Sequence, residues 1–322
     1  MDNHKSILIT NIGRLVSANT DGVNVVEKTS VLIEYGQITA IGEGDAEHKI
    51  DCGGKMVTAG FVDSHTHPVF FNKRDEEYAM RLAGSSYEEI AEKGGGIVSS
   101  VAGVRNASKN ALVDKVSARM DRFISMGTTT VESKSGYGLD TASELKSLEV
   151  IDEVNESHAI DMVPTFMGGH AFPNEFVNDH DAYINLICDE MVPAVAEQGI
   201  AIFNDVFCEE GYFTVEQSRK ILEIGKEYGL KPRLHADEFV DSGAAKLAGE
   251  VGAFSADHLM AVSDAGINRL AENNVVASLL PGTTFFLGKT SYAPARQLMD
   301  AGLTVALATD FNPGSCHIQS MP

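Results

Sequence analysis

From residue 61 onward, short apolar runs alternate with longer segments that carry helix start and stop signals. The apolar runs cover residues 61–65, 128–132, 159–166, 200–206, 233–235, 255–258, 275–280 and 304–309. Eight strands separated by helices predict an α/β fold in which a parallel sheet closes as a (β/α)₈ barrel of the TIM type. An open, doubly wound sheet is the alternative, but no G-x-G-x-x-G motif opens the first helix.

Polar residues and glycines mark the ends of the predicted helices. A Ser or Thr followed three residues later by Glu or Gln predicts a capping box, and this pattern occurs at Ser86 with Glu89, Thr141 with Glu144, and Thr214 with Gln217. Glycines stand where helices are expected to end, at Gly127, Gly199 and Gly229. These signals support the alternation of strands and helices.

The first 60 residues have a different pattern, with short strand-like runs separated by glycines. Residues 30–34 and 37–41 flank Tyr35-Gly36 and predict a hairpin, and residues 55–57 predict another short strand. We therefore predict a small, β-sandwich-like domain at residues 1–60, followed by the barrel domain at residues 61–322.

Length and composition narrow the class of protein. The chain has 322 residues, which accommodates a barrel of roughly 250 residues and a small accessory part. Its formal charge of −21 without a basic run argues against a nucleic-acid partner, and an anionic substrate would need a local cation. The sequence has no apolar run of about 18 residues and no signal-peptide pattern, and its four cysteines are widely spaced. We therefore predict a cytoplasmic protein with reduced thiols and no membrane partner.

Candidate chemistry collects at the ends of the predicted strands, where barrels carry their catalytic residues. His65 and His67 alone could be a structural pair, but His235 and Asp310 follow strands five and eight. Three neutral imidazoles and one carboxylate suit zinc or another first-row divalent ion with an open coordination position. His170 and His258 follow strands three and six.

Glu238 and His258 have competing interpretations. Glu238 is either a solvated loop acid or a proton shuttle to a leaving nitrogen, and His258 either a buried structural histidine or a group that orients or deprotonates water.

Six stretches of sequence carry a resemblance to a known family. They span residues 67–74, 132–139, 166–170, 205–208, 235–238 and 309–315, and so extend across nearly the whole chain. The runs Lys-Ser-Gly-Tyr-Gly and Asp-Phe-Asn-Pro-Gly-Ser are the most specific of them. On these residues the chain resembles the imidazolonepropionase family of the amidohydrolase superfamily.

The resemblance implies hydrolytic ring opening of 4-imidazolone-5-propanoate to N-formimidoyl-L-glutamate in histidine degradation. It implies one divalent metal ion, zinc in preference to iron, held by His65, His67, His235 and Asp310. The substrate-binding residues that it implies are Arg74, Tyr87, Tyr137, His170, Glu238, Asn312, Gly314 and Ser315. Arg74 is the local cation for the propanoate, and His170 is expected to help stabilise an oxyanion. Proton transfers are expected at Glu238, His258 and Asp310, and a homodimer is implied.

Two other functions remain open on the sequence. Cytosine- or guanine-type deaminases share the metal-binding pattern but have less need of an arginine for a carboxylate arm. A non-catalytic scaffold with the same barrel tends to lose metal ligands, whereas all the candidates are present here. A two-metal member of the superfamily would carry a lysine after strand four, where this chain reads Asp-Val-Phe-Cys-Glu-Glu.

Members of the resembled family also continue past the eighth strand, through a last barrel helix and strands that return to the small β domain. We therefore expect this chain to be a fragment, with that domain incomplete and the barrel lacking its last helix.

Overall fold

A computed structural model describes residues 5–19, 22–85, 89–90 and 95–321. The chain divides into two compact units, Met1–Gly60 and Phe61–Pro322. Within the described residues, no helix combines the length and the apolar composition that crossing a lipid bilayer requires.

In the first unit, the described residues form one five-stranded sheet. Its strands are β1 (Ser6–Asn19), β2 (Gly22–Glu34), β3 (Gln37–Ile41), β4 (His48–Asp51) and β5 (Met56–Thr58). Strand β1 pairs antiparallel with β2 and parallel with β4 and β5. The predicted hairpin is confirmed, because β2 pairs antiparallel with β3 across Tyr35 and Gly36. Both turn residues have positive φ, 52° and 78°, as a type I′ turn requires.

The second unit contains an eight-stranded sheet in which the described neighbours pair in parallel and follow chain order. The strands are β6 (Phe61–Asp63), β7 (Thr128–Lys134), β8 (Asp161–Gly169), β9 (Phe203–Cys208), β10 (Lys231–Ala236), β11 (Ser255–His258), β12 (Val276–Leu279) and β13 (Val305–Leu307). The sheet closes just beyond the ends of β6 and β13, where Thr66 bridges Phe311. There the Asp310 amide donates to the His65 carbonyl at 3.0 Å, and the His67 amide donates to the Phe311 carbonyl at 2.8 Å. This closure confirms the predicted barrel.

Helices connect the barrel strands. They are α1 (Asp75–Leu82), α2 (Ile97–Asn106), α3 (Lys109–Ser125), α4 (Thr141–Ser157), α5 (His180–Leu186), α6 (Val192–Gln198), α7 (Val215–Glu227), α8 (Ala244–Glu250), α9 (Asp264–Glu272), α10 (Pro281–Phe286) and α11 (Ala295–Asp300). A 3₁₀ turn (Asn174–Phe176) precedes α5, and a π-helical turn (Ile187–Met191) joins α5 to α6. Helix α3 buries Leu112, Val116, Met120 and Phe123 at the spacing of one helix face.

The helix-end signals have mixed outcomes. The capping box of Thr214 with Gln217 is confirmed at the start of α7. The box at Thr141 with Glu144 is wrong, because Asp140 caps α4 by accepting from the Ser143 amide at 2.8 Å. The box at Ser86 with Glu89 depends on residues outside the described ranges. Gly127, Gly199 and Gly229 follow helix ends with φ of 91°, 73° and 87°, which favours glycine at each position.

Candidate metal centre and active site

Three histidines and one aspartate converge at the carboxyl end of the barrel. The His67 Nε2 lies 3.2 Å from the His65 Nε2 and 3.3 Å from the His235 Nε2. The Asp310 Oδ1 lies 3.5 Å from the His65 Nε2 and 3.4 Å from the His67 Nε2. Tetrahedral ligands at bond lengths of about 2.0–2.2 Å stand roughly 3.3–3.6 Å apart. The separations in this cluster therefore fit a single divalent metal ion.

The other ring nitrogens of two of these histidines face buried carboxylates. The His65 Nδ1 lies 2.6 Å from Asp257 Oδ2, and the His235 Nδ1 lies 3.1 Å from Asp205 Oδ1. Donation from Nδ1–H fixes the tautomer that presents a bare Nε2, as in carboxylate–histidine–metal arrangements. Burial lowers the pKa of His65 and of His67 well below the ordinary value, which keeps both rings neutral. Neutral imidazoles are the form that binds metal.

Buried cations hold these carboxylates in turn. The Lys134 Nζ, which is fully buried, lies 2.8 Å from both Asp205 Oδ2 and Glu132 Oε1. The Arg233 Nη2 donates to Asp257 Oδ2 at 2.7 Å. Burial raises the pKa of Asp205, but Lys134 and His235 outweigh that effect and hold the pKa well below its usual range. Two series of contacts, Lys134–Asp205–His235 and Arg233–Asp257–His65, thus orient two of the metal ligands.

These supporting residues were not predicted. Their signal in the sequence is a charged residue inside a strand that is otherwise buried, at Glu132, Lys134, Asp205, Arg233 and Asp257. A buried charge needs a partner, so such a set indicates a network.

Glu238 and His258 face each other beside the metal ligands. The Glu238 Oε2 lies 3.6 Å from the His258 Nε2, and both side chains are buried. Burial, and then the charge of Asp310, raise the pKa of Glu238 well above its ordinary value. Burial lowers the pKa of His258 to about 3. Glu238 therefore has the character of an acid that keeps its proton, and His258 is a neutral imidazole. His258 also belongs to an alternative set of metal donors with His65 and His235.

His170 stacks on His67 with ring centroids 4.9 Å apart. Its Nδ1 lies 2.8 Å from the Gly136 carbonyl, to which it donates. Burial lowers the pKa of His170 well below the ordinary value, so the ring is neutral and its Nε2 is a hydrogen-bond acceptor. This geometry differs from the expected oxyanion donor and suits an N–H group of a ligand. The Tyr137 ring lies 5.1 Å from His170 and 6.0 Å from His67.

Arg74 is buried, with 8% of its surface exposed. Its Nε lies 3.5 Å from Glu77 Oε2, and within the described part of the chain its Nε and Nη1 have no hydrogen-bond partner. Gly314 makes room for the guanidinium, because a Cβ at that position would lie 2.1 Å from the Arg74 Nη2.

Asn312 uses its side chain inside its own loop. Its Oδ1 accepts from the amides of Gly314 and Ser315 at 2.9 and 2.7 Å. Its Nδ2 donates to the Asp310 carbonyl and to the Ser315 Oγ at 2.7 and 2.8 Å. Both donors and both acceptor positions are thus used within the loop, and a substrate contact of Asn312 stays a prediction.

One cavity joins these groups. The site residues that line it are His67, Arg74, Tyr137, His170, His235, Glu238, His258, Asp310, Asn312 and Ser315, together with Ile97, Phe207 and Phe239. The structure thus brings most of the predicted site residues together, while their roles remain predictions. Tyr87 lies outside the described residues.

A parallel eight-stranded barrel with such a donor set at its carboxyl end defines a metal-dependent hydrolase of the amidohydrolase superfamily. The chain is 49% identical over 319 residues to imidazolonepropionase from Geobacillus sp., covering 96% of this chain and 75% of the relative. It is 50% identical over 311 residues to imidazolonepropionase from Clostridium tetani, covering 94% and 74%. The chain therefore belongs to the imidazolonepropionase family. No protein-family model matches it.

Solved structures with low sequence identity share the fold. Guanine deaminase from C. acetobutylicum with bound guanine aligns with a TM-score of 0.67 at 16% identity, covering 97% of this chain and 76% of that one. A mutant of atrazine chlorohydrolase from Arthrobacter aurescens, complexed with zinc and atraton, aligns with a TM-score of 0.73 at 17% identity, covering 96% and 73%. At this identity the likeness establishes the fold alone.

Proposed function

We propose that this chain opens the ring of 4-imidazolone-5-propanoate by hydrolysis and releases N-formimidoyl-L-glutamate. Membership of the imidazolonepropionase family makes it a hydrolase of carbon–nitrogen bonds in cyclic amides. The observation that carries the choice of substrate is Arg74, a buried guanidinium on the same cavity as the metal ligands. A carboxylate arm would satisfy its planar fork of N–H donors.

His65, His67, His235 and Asp310 would hold one divalent ion. We propose zinc in preference to iron, because zinc accepts three imidazoles and one carboxylate and can become five-coordinate to take a water molecule as well. A zinc-bound structure of atrazine chlorohydrolase shares the fold. Such an ion, when bound, polarises a carbonyl group and lowers the pKa of a water molecule towards ~7.

The surrounding side chains divide the remaining tasks. Arg74 binds the propanoate, and the bare Nε2 of His170 accepts from a ring N–H. Water adds to the ring carbonyl carbon, and collapse of the tetrahedral adduct re-forms the carbonyl and breaks the carbon–nitrogen bond as Glu238 donates its proton to the departing nitrogen. The proton lost by the water passes to Asp310 or His258. The Thr283 hydroxyl donates to Asp310 Oδ2 at 2.5 Å, so it holds one carboxylate oxygen and fixes the direction of the other.

Product analysis combined with elemental analysis tests this proposal. We expect about one equivalent of zinc or iron per chain and formation of formimidoylglutamate without ammonia. Ammonia released from guanine or cytosine would support a deaminase instead. Protein that binds no metal and turns over none of these compounds would support a non-catalytic scaffold.

We also propose that the protein is a cytoplasmic homodimer without nucleic-acid or membrane partners. Light scattering on the purified chain tests the oligomeric state.

A further inference from the structure

Glu144 is a fully buried carboxylate that the metal cluster does not use. It lies in the first turn of α4, but its side chain turns back onto the loop that follows β7. The Gly138 and Leu139 amides donate to its Oε1 at 2.8 and 2.9 Å, and the Gly136 amide donates to its Oε2 at 2.9 Å. Burial raises the pKa of Glu144, and hydrogen bonds from Ser135 and from these amides oppose that rise. The loop is therefore wrapped around one carboxyl group.

The backbone of this loop is shaped for that arrangement. Gly136 has a φ of 94° and Leu139 a φ of 52°, which turn neighbouring amides towards one point. A Cβ on Gly136 would lie 2.9 Å from the His170 Nδ1, and a Cβ on Gly138 would lie 2.7 Å from the Ser143 carbonyl carbon. A side chain at either position would therefore clash with these neighbouring atoms, so both positions require glycine.

Arg105 holds the same loop by its carbonyl groups. Its Nε donates to the Gly138 carbonyl at 2.7 Å, and its Nη2 donates to the Leu139 carbonyl at 3.0 Å. Its guanidinium also pairs with Asp140 at 2.8 Å and Glu175 at 2.7 Å. The Glu144 carboxyl group thus accepts from the amides of this loop, and the Arg105 guanidinium donates to its carbonyls.

The loop reaches the cavity through Tyr137 and contacts a cavity-lining residue, His170, through the Gly136 carbonyl. Tyr137 stands between the two glycines and lines the cavity. The Gly136 carbonyl accepts from the His170 Nδ1 at 2.8 Å and so sets which His170 nitrogen points away from the loop. A shift of the loop would therefore move the Tyr137 ring and release the His170 tautomer together.

We propose that Glu144 is a positioning residue for substrate binding, which fixes Tyr137 and His170 through the loop that it shares with Arg105. This inference rests on the proposed function, because Tyr137 and His170 are expected to contact the substrate. Among the described residues, the hydrogen bonds of the Glu144 carboxyl go to Ser135 and to the amides of this loop, and Glu144 is not one of the residues that line the cavity. Its effect is therefore expected in KM more than in kcat, and in loop dynamics independently of catalysis.

Glu144→Gln is the test variant, because its amide NH₂ would face backbone N–H donors that now meet an oxygen. We expect a rise in KM of tenfold or more, a smaller change in kcat, unchanged metal content, and faster hydrogen exchange at the amides of residues 136, 138 and 139. Asp179→Asn is the matched control, since Asp179 is an exposed carboxylate that caps α5 by accepting from the Ala182 amide. It should move neither KM nor exchange in that loop.

The possible outcomes separate this inference from the proposed function. Faster exchange with unchanged KM would overturn the positioning role, and unchanged exchange would show that Glu144 does not hold the loop. A wild-type protein without ring-opening activity would refute the proposed function, while the exchange comparison would still decide whether Glu144 holds the loop. If Glu144→Gln fails to fold, Arg105→Lys perturbs the same loop from a partly exposed side chain and should also raise KM. An unchanged KM in that variant would overturn the inference.

Discussion

Replacing Gly314 with alanine should displace the Arg74 guanidinium and weaken substrate binding. The new Cβ would lie 2.1 Å from Nη2, 2.3 Å from Nε and 2.5 Å from Cζ, whereas ordinary contact begins at 3.4 Å. The guanidinium must therefore withdraw by more than an ångström. Because it stands at the far end of a flexible side chain, the fold should survive with a small loss of stability.

The size of the effect follows from the contact that is lost. A hydrogen bond to a charged group contributes roughly 1.5–3 kcal/mol, which corresponds to a rise in KM of roughly 10- to 150-fold. Steady-state kinetics with 4-imidazolone-5-propanoate measure the change. We expect kcat to change less than KM, because Arg74 binds a part of the substrate remote from the bond that breaks.

A double-mutant cycle gives the decisive control. In an Arg74→Ala background no guanidinium remains to be displaced, so Gly314→Ala should have little further effect on KM. Gly266→Ala, a glycine substitution in α9 where the added Cβ would meet Ala245 Cβ at 3.0 Å, serves as a control away from the cavity. Equal effects of Gly314→Ala with and without Arg74 would refute the steric reasoning, as would an unchanged KM in the single variant.

Four further predictions concern stability, metal affinity, pH dependence and thiol reactivity. Lys134→Met should lower the free energy of unfolding by about 3–5 kcal/mol in urea titrations, because it leaves paired carboxylates buried without their cation. Thr283→Val should weaken metal binding about 10- to 100-fold in chelator competition, since Asp310 loses its orienting donor; equal affinity would contradict that role. Because the pKa of Glu238 is raised, activity that needs its proton should fall as the pH rises through that pKa. The Glu238→Gln variant should be slower with its metal content intact, and its pH–rate profile should lack this fall at alkaline pH. A thiol reagent should modify only Cys52 in the folded protein, because burial raises the pKa of the other three cysteines to about 11–12; reaction of more than one thiol before unfolding would contradict this.

The barrel could be predicted from the sequence because its strands are short apolar runs in strict alternation with helices. Its chemistry could be located because the parallel strands bring their carboxyl ends to one rim. His65 and Asp310 are 245 positions apart in the chain, yet strand order places them at the closing seam. Periodicity and topology were therefore sufficient for the predicted strands and for the placement of the metal donors.

Features that depend on side-chain direction could not be predicted in the same way. The sequence around Glu144 matches a capping box. In the structure, however, the Glu144 carboxyl group accepts from the loop amides of Gly136, Gly138 and Leu139, which come together only in the folded chain. Asn312 matches a substrate-binding motif, yet its hydrogen bonds are used locally. The contacts of Lys134 and Arg233 with the carboxylates behind the metal ligands join different strands, and the local sequence pattern does not encode which strands meet.

The seam between the first and last barrel strands has a mechanical consequence. The described hydrogen bonds across it involve the backbones of the metal donors themselves, and His65 and His67 stand on one side of it while Asp310 stands on the other. An ion bound by these three side chains would link the ends of the first and last barrel strands, which are far apart along the chain. Stripping the ion should therefore loosen the rim first, and local opening there should precede global unfolding.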